Sequence, residues 1–518
     1  MHSTTFQVAP SKTRAVQICP ALLSVILLLS MANLSFGQSV TTFDNDAGLH
    51  THRLKITPAA EMTPKFRYRF SVPVHERVAG NAAMHYARSF GENQLSRTWK
   101  SLQDEYSDDV HKWPGQEIPI HELPIEKARS AAVAFDEYIE QFIVRATRCR
   151  DCDWGLAEET LSAMEIYRLL LPEVQPSREI ARALMLRARV AIADRRYDDA
   201  IEQLKMCYQL GRNVSQLKFV VATLVANAEM GMANGVLIEL IGSPNSPNMY
   251  WALAELPTPL IDMRGAFQLE YNTLDRLFPD LMNIEQEEKT AEQWQASVTE
   301  VIDVMLAAHS LTSSMTPQSD STEQNSLVSS SLAYAMAIAS YPSAKQRLAD
   351  SGIDKARLEN MPVGQALLWD MKNEMTKLSH DGESIIYLPF PEGSNAAIKF
   401  EGDLAKNENR SLGYKLAGTL FPAIQQVRAA QVRTERQRNA LMVIEAIRMH
   451  LAQVGSIPET LEQITAVPIP LNPATGQPFD YSVDGNTMIL ELPRSDGASY
   501  WTERFEIEVV DHDEKGRG

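Results

Sequence analysis

The stretch Arg178–Arg212, REIARALMLRARVAIADRRYDDAIEQLKMCYQLGR, describes two amphipathic helices folded back on each other at Asp194-Arg195-Arg196. In the first, Ile180, Leu184, Ala188, Ala191 and Ile192 recur at three- and four-residue spacing, one apolar stripe of a 3.6-residue period. In the second, Ala200, Ile201, Leu204, Cys207 and Tyr208 repeat the pattern, and Gly211 reads as a C-terminal stop. A pair this short cannot bury both faces alone, so it requires packed neighbours on each side.

Those neighbours are legible. Pro124 is placed to start a helix that carries Ala132, Phe135, Ile139, Phe142 and Ile143 toward Cys149. Further helices are expected over 156–171 and 215–230, and others over 269–308, 332–351 and 357–377. The run Arg196-Tyr197-Asp198-Asp199-Ala200-Ile201 resembles the opening of the second helix of a tetratricopeptide repeat, over one repeat of the chain, without the Trp-Leu-Gly-Tyr residues of the first helix. The resemblance implies a stack of helical hairpins with a concave face for protein or peptide contact. An ordinary α-helical domain is the alternative.

At the N-terminus, Lys12 and Arg14 precede the apolar run Ala21–Ala32, with small residues at Ser35-Phe36-Gly37, the layout of an export signal over 1–37. The apolar run is shorter than the about 20 residues of a spanning helix. An exported protein, periplasmic or extracellular and without a stable span after cleavage, is expected, with an uncleaved membrane anchor as the alternative. Removing 1–37 takes away two positive charges and no carboxylate, moving the formal charge from −17 to −19. That acidity argues against nucleic acid or an anionic membrane as partner, since both require a basic footprint.

Cys149, Cys152 and Cys207 remain after cleavage. In an exported chain the Cys149-Arg150-Asp151-Cys152 spacing suggests a disulfide, a redox pair or half a metal site, with a Cys152–Cys207 disulfide or free buried thiols as alternatives. Asp153 stands where haem attachment requires His, and no second close pair completes a zinc site. His75, Glu76 and His85 lack the i, i+4 spacing of a helical metal site. No metal or cofactor is expected.

The region 38–125 reads as extended with one short helix from Asn81 to Phe90. Gln38–Ala60 looks unstructured, and FRYRFSVPV (66–74) looks like an edge strand weakened by Pro73. A helical-hairpin domain over 126–310 is followed by a Ser/Thr/Gln/Asn-rich linker over 311–331 and a helical region over 332–440. Within the first of these, PNMYWALAELPTPLIDMRGAFQLE (247–270) concentrates Tyr250 and Trp251 ahead of Asp262 and Arg264. Aromatic and arginine residues favour binding hot spots, so these four are candidate partner contacts. The alternative is that Tyr250 and Trp251 cap the helical stack. The arginines 428, 433, 436 and 438 read as a solvated stretch of a long helix.

Val443–Leu451, the turn Gly455-Ser456-Ile457-Pro458-Glu459-Thr460-Leu461 and the loop Asn472–Tyr481 resemble the soluble end of type II secretion pseudopilin-like proteins. The resemblance implies a small α+β module over 441–510, with an Asp484-Gly485-Asn486 hairpin and a third strand near 500–509. Asp480 and Asp484 are too few carboxylates for a calcium site. Pseudopilins place their assembly helix at the N-terminus, so pilus assembly is not carried over. Gly80-Asn81-Ala82-Ala83, Cys152-Asp153-Trp154, Tyr250-Trp251-Ala252-Leu253 and Tyr341-Pro342-Ser343-Ala344-Lys345 together resemble exported helical proteins of planctomycete-type bacteria.

No Gly-x-Ser-x-Gly elbow, His-Glu-x-x-His helix, phosphate loop or dinucleotide turn occurs, and no catalytic residue is nominated. The expectation is a mainly α protein, a tetratricopeptide-like hairpin array with a small C-terminal α+β module, acting as a non-enzymatic scaffold. A hydrolase with its site between the two parts is one alternative, and a cell-envelope assembly component is another.

Overall fold

The computed structural model describes residues 41–44, 49–90, 94–156, 174–313 except 278, 335, 338–406, 411–421, 424–493 and 502–510. The expected export segment, nearly all of the helix expected over 156–171 and nearly all of the linker expected over 311–331 lie outside the described residues.

The described chain is mainly helical with a small sheet. Two short strands come first, β1 (Thr41–Asp44) and β2 (Leu49–Ile56). Next come β3 (Val78–Asn81), α1 (Ala82–Phe90) and α2 (Gln94–Tyr106). Asn81 opens α1 by accepting the Ala83 N–H at 3.1 Å. A helical stretch follows, α3 (Ile125–Val133) and α4 (Val144–Arg148), joined through a π turn at Ile139–Ile143 and ending in β4 (Cys149–Asp151).

The hairpin is α5 (Val174–Ala193) and α6 (Tyr197–Val214). Arg195 takes φ 58°, and the Arg196 and Arg195 N–H groups reach back to Ala191 and Ile192 carbonyls at 2.8 and 2.9 Å. That closure satisfies the terminal carbonyls and reverses the chain in three residues. Gly211 does not stop α6. A Cβ there would lie 3.0 Å from the Ala226 carbonyl and 3.1 Å from Met230 Cγ, so glycine allows α7 (Val220–Ile241) to approach. Among the described residues α7 is the one helix long and apolar enough to cross a membrane, and it is enclosed within the array.

α8 (Tyr250–Ala254), α9 (Arg264–Leu277) and α10 (Ala291–Ser313) continue the array. A second apolar core forms where α10 and α12 (Val363–Ile386) meet, around Trp294, Leu368 and Met371. α11 (Lys355–Asn360), α13 (Phe390–Ala405) and α14 (Leu412–Leu420) pack nearby.

α15 (Ile424–Val454) runs through the main core with residues buried on every side, and it passes unbroken across the boundary expected at 440/441. Its arginines are not solvated. Arg428 donates to the Ile385, Ile386, Leu388 and Pro389 carbonyls and caps α12. Arg438 reaches the Thr258 hydroxyl, Arg436 the Pro493 carbonyl and Arg433 the Glu503 carboxylate. A guanidinium tolerates burial when its donors meet carbonyls and carboxylates, and each of these ends on a different segment.

Beyond α15 come β5 (Asp480–Asp484), β6 (Thr487–Leu492) and β7 (Thr502–Val509). Gly485 at φ 60° makes the expected hairpin turn. The sheet order is β1-β2-β7-β6-β5, so the stretch expected to be unstructured supplies two of five strands. β2 lies parallel to β7, with His50 beside Glu503 and Ile56 beside Val509. The 66–74 stretch forms no strand. It is an irregular strap whose Phe70 is fully buried against Tyr208 at 5.0 Å between ring centres.

Candidate functional site

Three helical faces enclose a groove of about 700 Å³. One wall is the stripe Ala132, Asp136, Glu140, Val144 and Arg148 at four-residue spacing along α3–α4. Arg187, Val190 and Ala191 of α5 make the floor, and Asp199, Glu202, Gln203 and Met206 of α6 the other wall. The volume is that of a ligand-binding cleft.

The groove has five cationic residues (Arg129, Arg148, Arg187, Arg196, Lys205) and five acidic ones (Glu76, Asp136, Glu140, Asp199, Glu202). Arg187 bridges to Asp136 at 2.8 Å, and Lys205 to Glu202 at 3.1 Å. Arg129 joins Asp194 at 2.7 Å and Glu126 at 2.6 Å, while Arg196 pairs with Asp199. The Arg129 guanidinium beside Asp194 holds that carboxyl below the usual range. Val133 lies 60% exposed at the rim, an apolar contact open to a ligand. The described lining contains no Ser, Cys, His or Tyr, and the Thr147 hydroxyl donates to the Val144 carbonyl. This chemistry suits recognition of a chain bearing both signs of charge and small apolar groups.

The four residues expected to contact a partner do not converge. Tyr250 is buried, its hydroxyl donating to the Pro468 carbonyl. Trp251 donates to Glu61 at 2.7 Å, with Lys65 over its ring at 4.8 Å and Phe66 against its edge. The chain's own strap therefore covers it. Asp262 and Arg264 bond each other on the surface, and Asp262 also accepts the Arg264 N–H at the start of α9.

The expected disulfide is absent; Cys149, Cys152 and Cys207 are free thiols. Cys149–Asp151 is extended, and three residues of strand separate α-carbons by about 10 Å, beyond the about 7 Å limit for bridging Cys149 to Cys152. Cys152 donates to the Asn213 carbonyl and Cys207 to the Glu229 carbonyl. Burial pushes Cys152 up to about 12 and raises Cys207 as well, which keeps both protonated.

Displaced carboxyls lie elsewhere, Glu229 inside the helical core and Glu270 half-buried on α9. Burial pushes Glu229 up to about 8 and Glu270 up to about 7, against Ser177 in the first case and the Val220 N–H in the second. Neither lines the groove. Among the described residues no cluster of His, Cys, Asp and Glu could hold a metal ion.

No protein family, curated protein or solved structure matches this chain. Its class is defined by architecture: a mainly helical protein with a small sheet and a mixed-charge groove beside its hairpin.

Proposed function

We propose that this chain is an exported, non-enzymatic scaffold that holds an extended segment of a protein partner in the groove between α3–α4, α5 and α6. The observation that carries the reading is the groove's balance of five cationic and five acidic side chains interspersed with small apolar ones. A chain of formal charge −17 that keeps one cleft locally neutral does not repel a partner segment there, acidic or basic. The tetratricopeptide-like hairpin and the pseudopilin-like module belong to the same proposal, as the supports that present the groove. A hydrolytic site between the helices and the sheet finds less support, because the junction's displaced acid Glu445 is fully buried and bonded to Arg448.

The test is capture of partners from the exported fraction by the chain over residues 38–518, alongside Val133→Glu and Trp251→Ala. A stoichiometric partner lost with Val133→Glu and kept with Trp251→Ala supports the groove. Capture untouched by Val133→Glu refutes it, and a folded chain that captures nothing removes the scaffold reading.

A further inference from the structure

The inner face of the sheet changes character along its length. At one end Leu54, Ile56, Met488 and Ile507 are buried and apolar, and on β6 the apolar face continues through Leu490 and Leu492. At the other, the same face of β2 carries His50 and His52, and that of β7 carries Glu503. His52 is 4% exposed, its ring stacked on Phe505 at 4.7 Å. Glu503 is 2% exposed and accepts from Arg433 Nε at 3.1 Å. Arg436 of α15, 1% exposed, adds a second positive charge acting on Glu503. β1 contributes one titratable residue, Asp44, and the opposite face of the sheet carries the separate pairs Arg53–Glu506 and Arg504–Glu491.

We propose that His50, His52 and Glu503, with Arg433 and Arg436 above them, form an acid-released latch that fastens the N-terminal strand to the sheet. At neutral pH two uncharged imidazoles and one carboxylate face two guanidinium groups. Protonating both imidazoles sets four cations, the half-buried His50 and Arg433 and the buried His52 and Arg436, against one buried carboxylate, and like charges there repel. The strand that bears the imidazoles is the element that can leave, since Arg433, Arg436 and Glu503 sit on α15 and β7. Release would bare the edge of β7, a row of backbone groups open to another strand.

Burial and then Arg433 push His50 down to about 4, with Glu503 acting only partly against them, and burial lowers His52 as well. In the released strand both imidazoles return toward about 6.5. The released form therefore binds more protons as pH falls below about 6.5, and acid favours release until the bound form titrates in turn.

Hydrogen exchange of the full-length chain at pH 7 and pH 5, corrected for intrinsic rates, tests this in peptides covering Leu49–Ile56 and Thr487–Leu492. The opening constant of β2 is expected to rise about tenfold or more while β6 keeps its protection. Unchanged β2 protection, or loss from both strands together, overturns the latch. In His50→Gln/His52→Gln the rise is expected to vanish, and its persistence would also overturn the proposal. If that variant does not fold, NMR titration of the native imidazoles decides: midpoints well below 6.5 support the latch, and midpoints near 6.5 defeat it.

Discussion

Arg448 and Glu445, one turn apart on α15, form an ion pair at 2.9 Å with both side chains wholly excluded from solvent. The same guanidinium donates to the Thr57 carbonyl at 3.0 Å and to the Ser246 carbonyl at 2.8 Å. One side chain thus ties the exit of β2, the loop after α7 and the central helix together.

Removing half of a buried pair leaves an uncompensated charge, at a cost of about 3–5 kcal/mol. Arg448→Met is expected to lose stability in that range by urea unfolding. The double variant Arg448→Met/Glu445→Leu should stay destabilised, because the Thr57 and Ser246 carbonyls still lack a donor. Full recovery in the double variant would show that the pair alone, and not its cross-links, matters.

Gly211→Ala would gain roughly 1 kcal/mol on an exposed helix. Here the added methyl meets the backbone of α7 at 3.0 Å, and that backbone has nowhere to move inside a packed core. A loss of about 1–3 kcal/mol is expected, read as a lower unfolding midpoint. A neutral or stabilising result would mean that the two helices can part cheaply.

Glu229 has a pKa near 8 in the folded chain against the usual value near 4.5 when exposed. Its protonated form stabilises the fold below the unfolded value, and that stability is lost as pH rises through the folded one. Native stability should therefore decline between pH 5 and pH 8, on the order of 3–4 kcal/mol from this residue. Glu229→Gln should flatten the profile and be the more stable protein at pH 8. Parallel profiles for the two chains would contradict this.

The thiols should be inert. Iodoacetamide at pH 7.5 is expected to leave Cys152 and Cys207 unmodified in the native chain and to label both rapidly in guanidinium chloride, since burial keeps them protonated and enclosed. Mass spectrometry that finds a Cys149–Cys152 disulfide would contradict the geometry of β4, and a bridge to Cys207 would contradict its burial as a free thiol.

How much of this was legible in the sequence depended on the distance between cause and effect. The hairpin at Asp194-Arg195-Arg196 and the turn at Gly485 are local, and periodicity exposes them. The arginines of α15 are not, because the carbonyls that make them tolerable belong to residues up to 391 positions away. In β2 the inward positions are His50, His52, Leu54 and Ile56, so half of the inward residues look polar and the alternation is hidden. The groove leaves no sequence signal for a similar reason. Ala132, Asp136, Glu140, Val144 and Arg148 share a helical face, but mixed polarity gives no stripe, and Asp136 meets Arg187 only after folding.

The parallel ladder between β2 and β7 joins residues separated by 453 positions. A chain delivered from its N-terminus must carry its first long strand, paired only with β1, without its β7 neighbour until nearly everything else has been made. The helical array can assemble from local contacts in the meantime, whereas the sheet closes last and slowly. The same closure brings both ends of the fold side by side, so a circular permutant joined there and opened elsewhere should preserve the architecture.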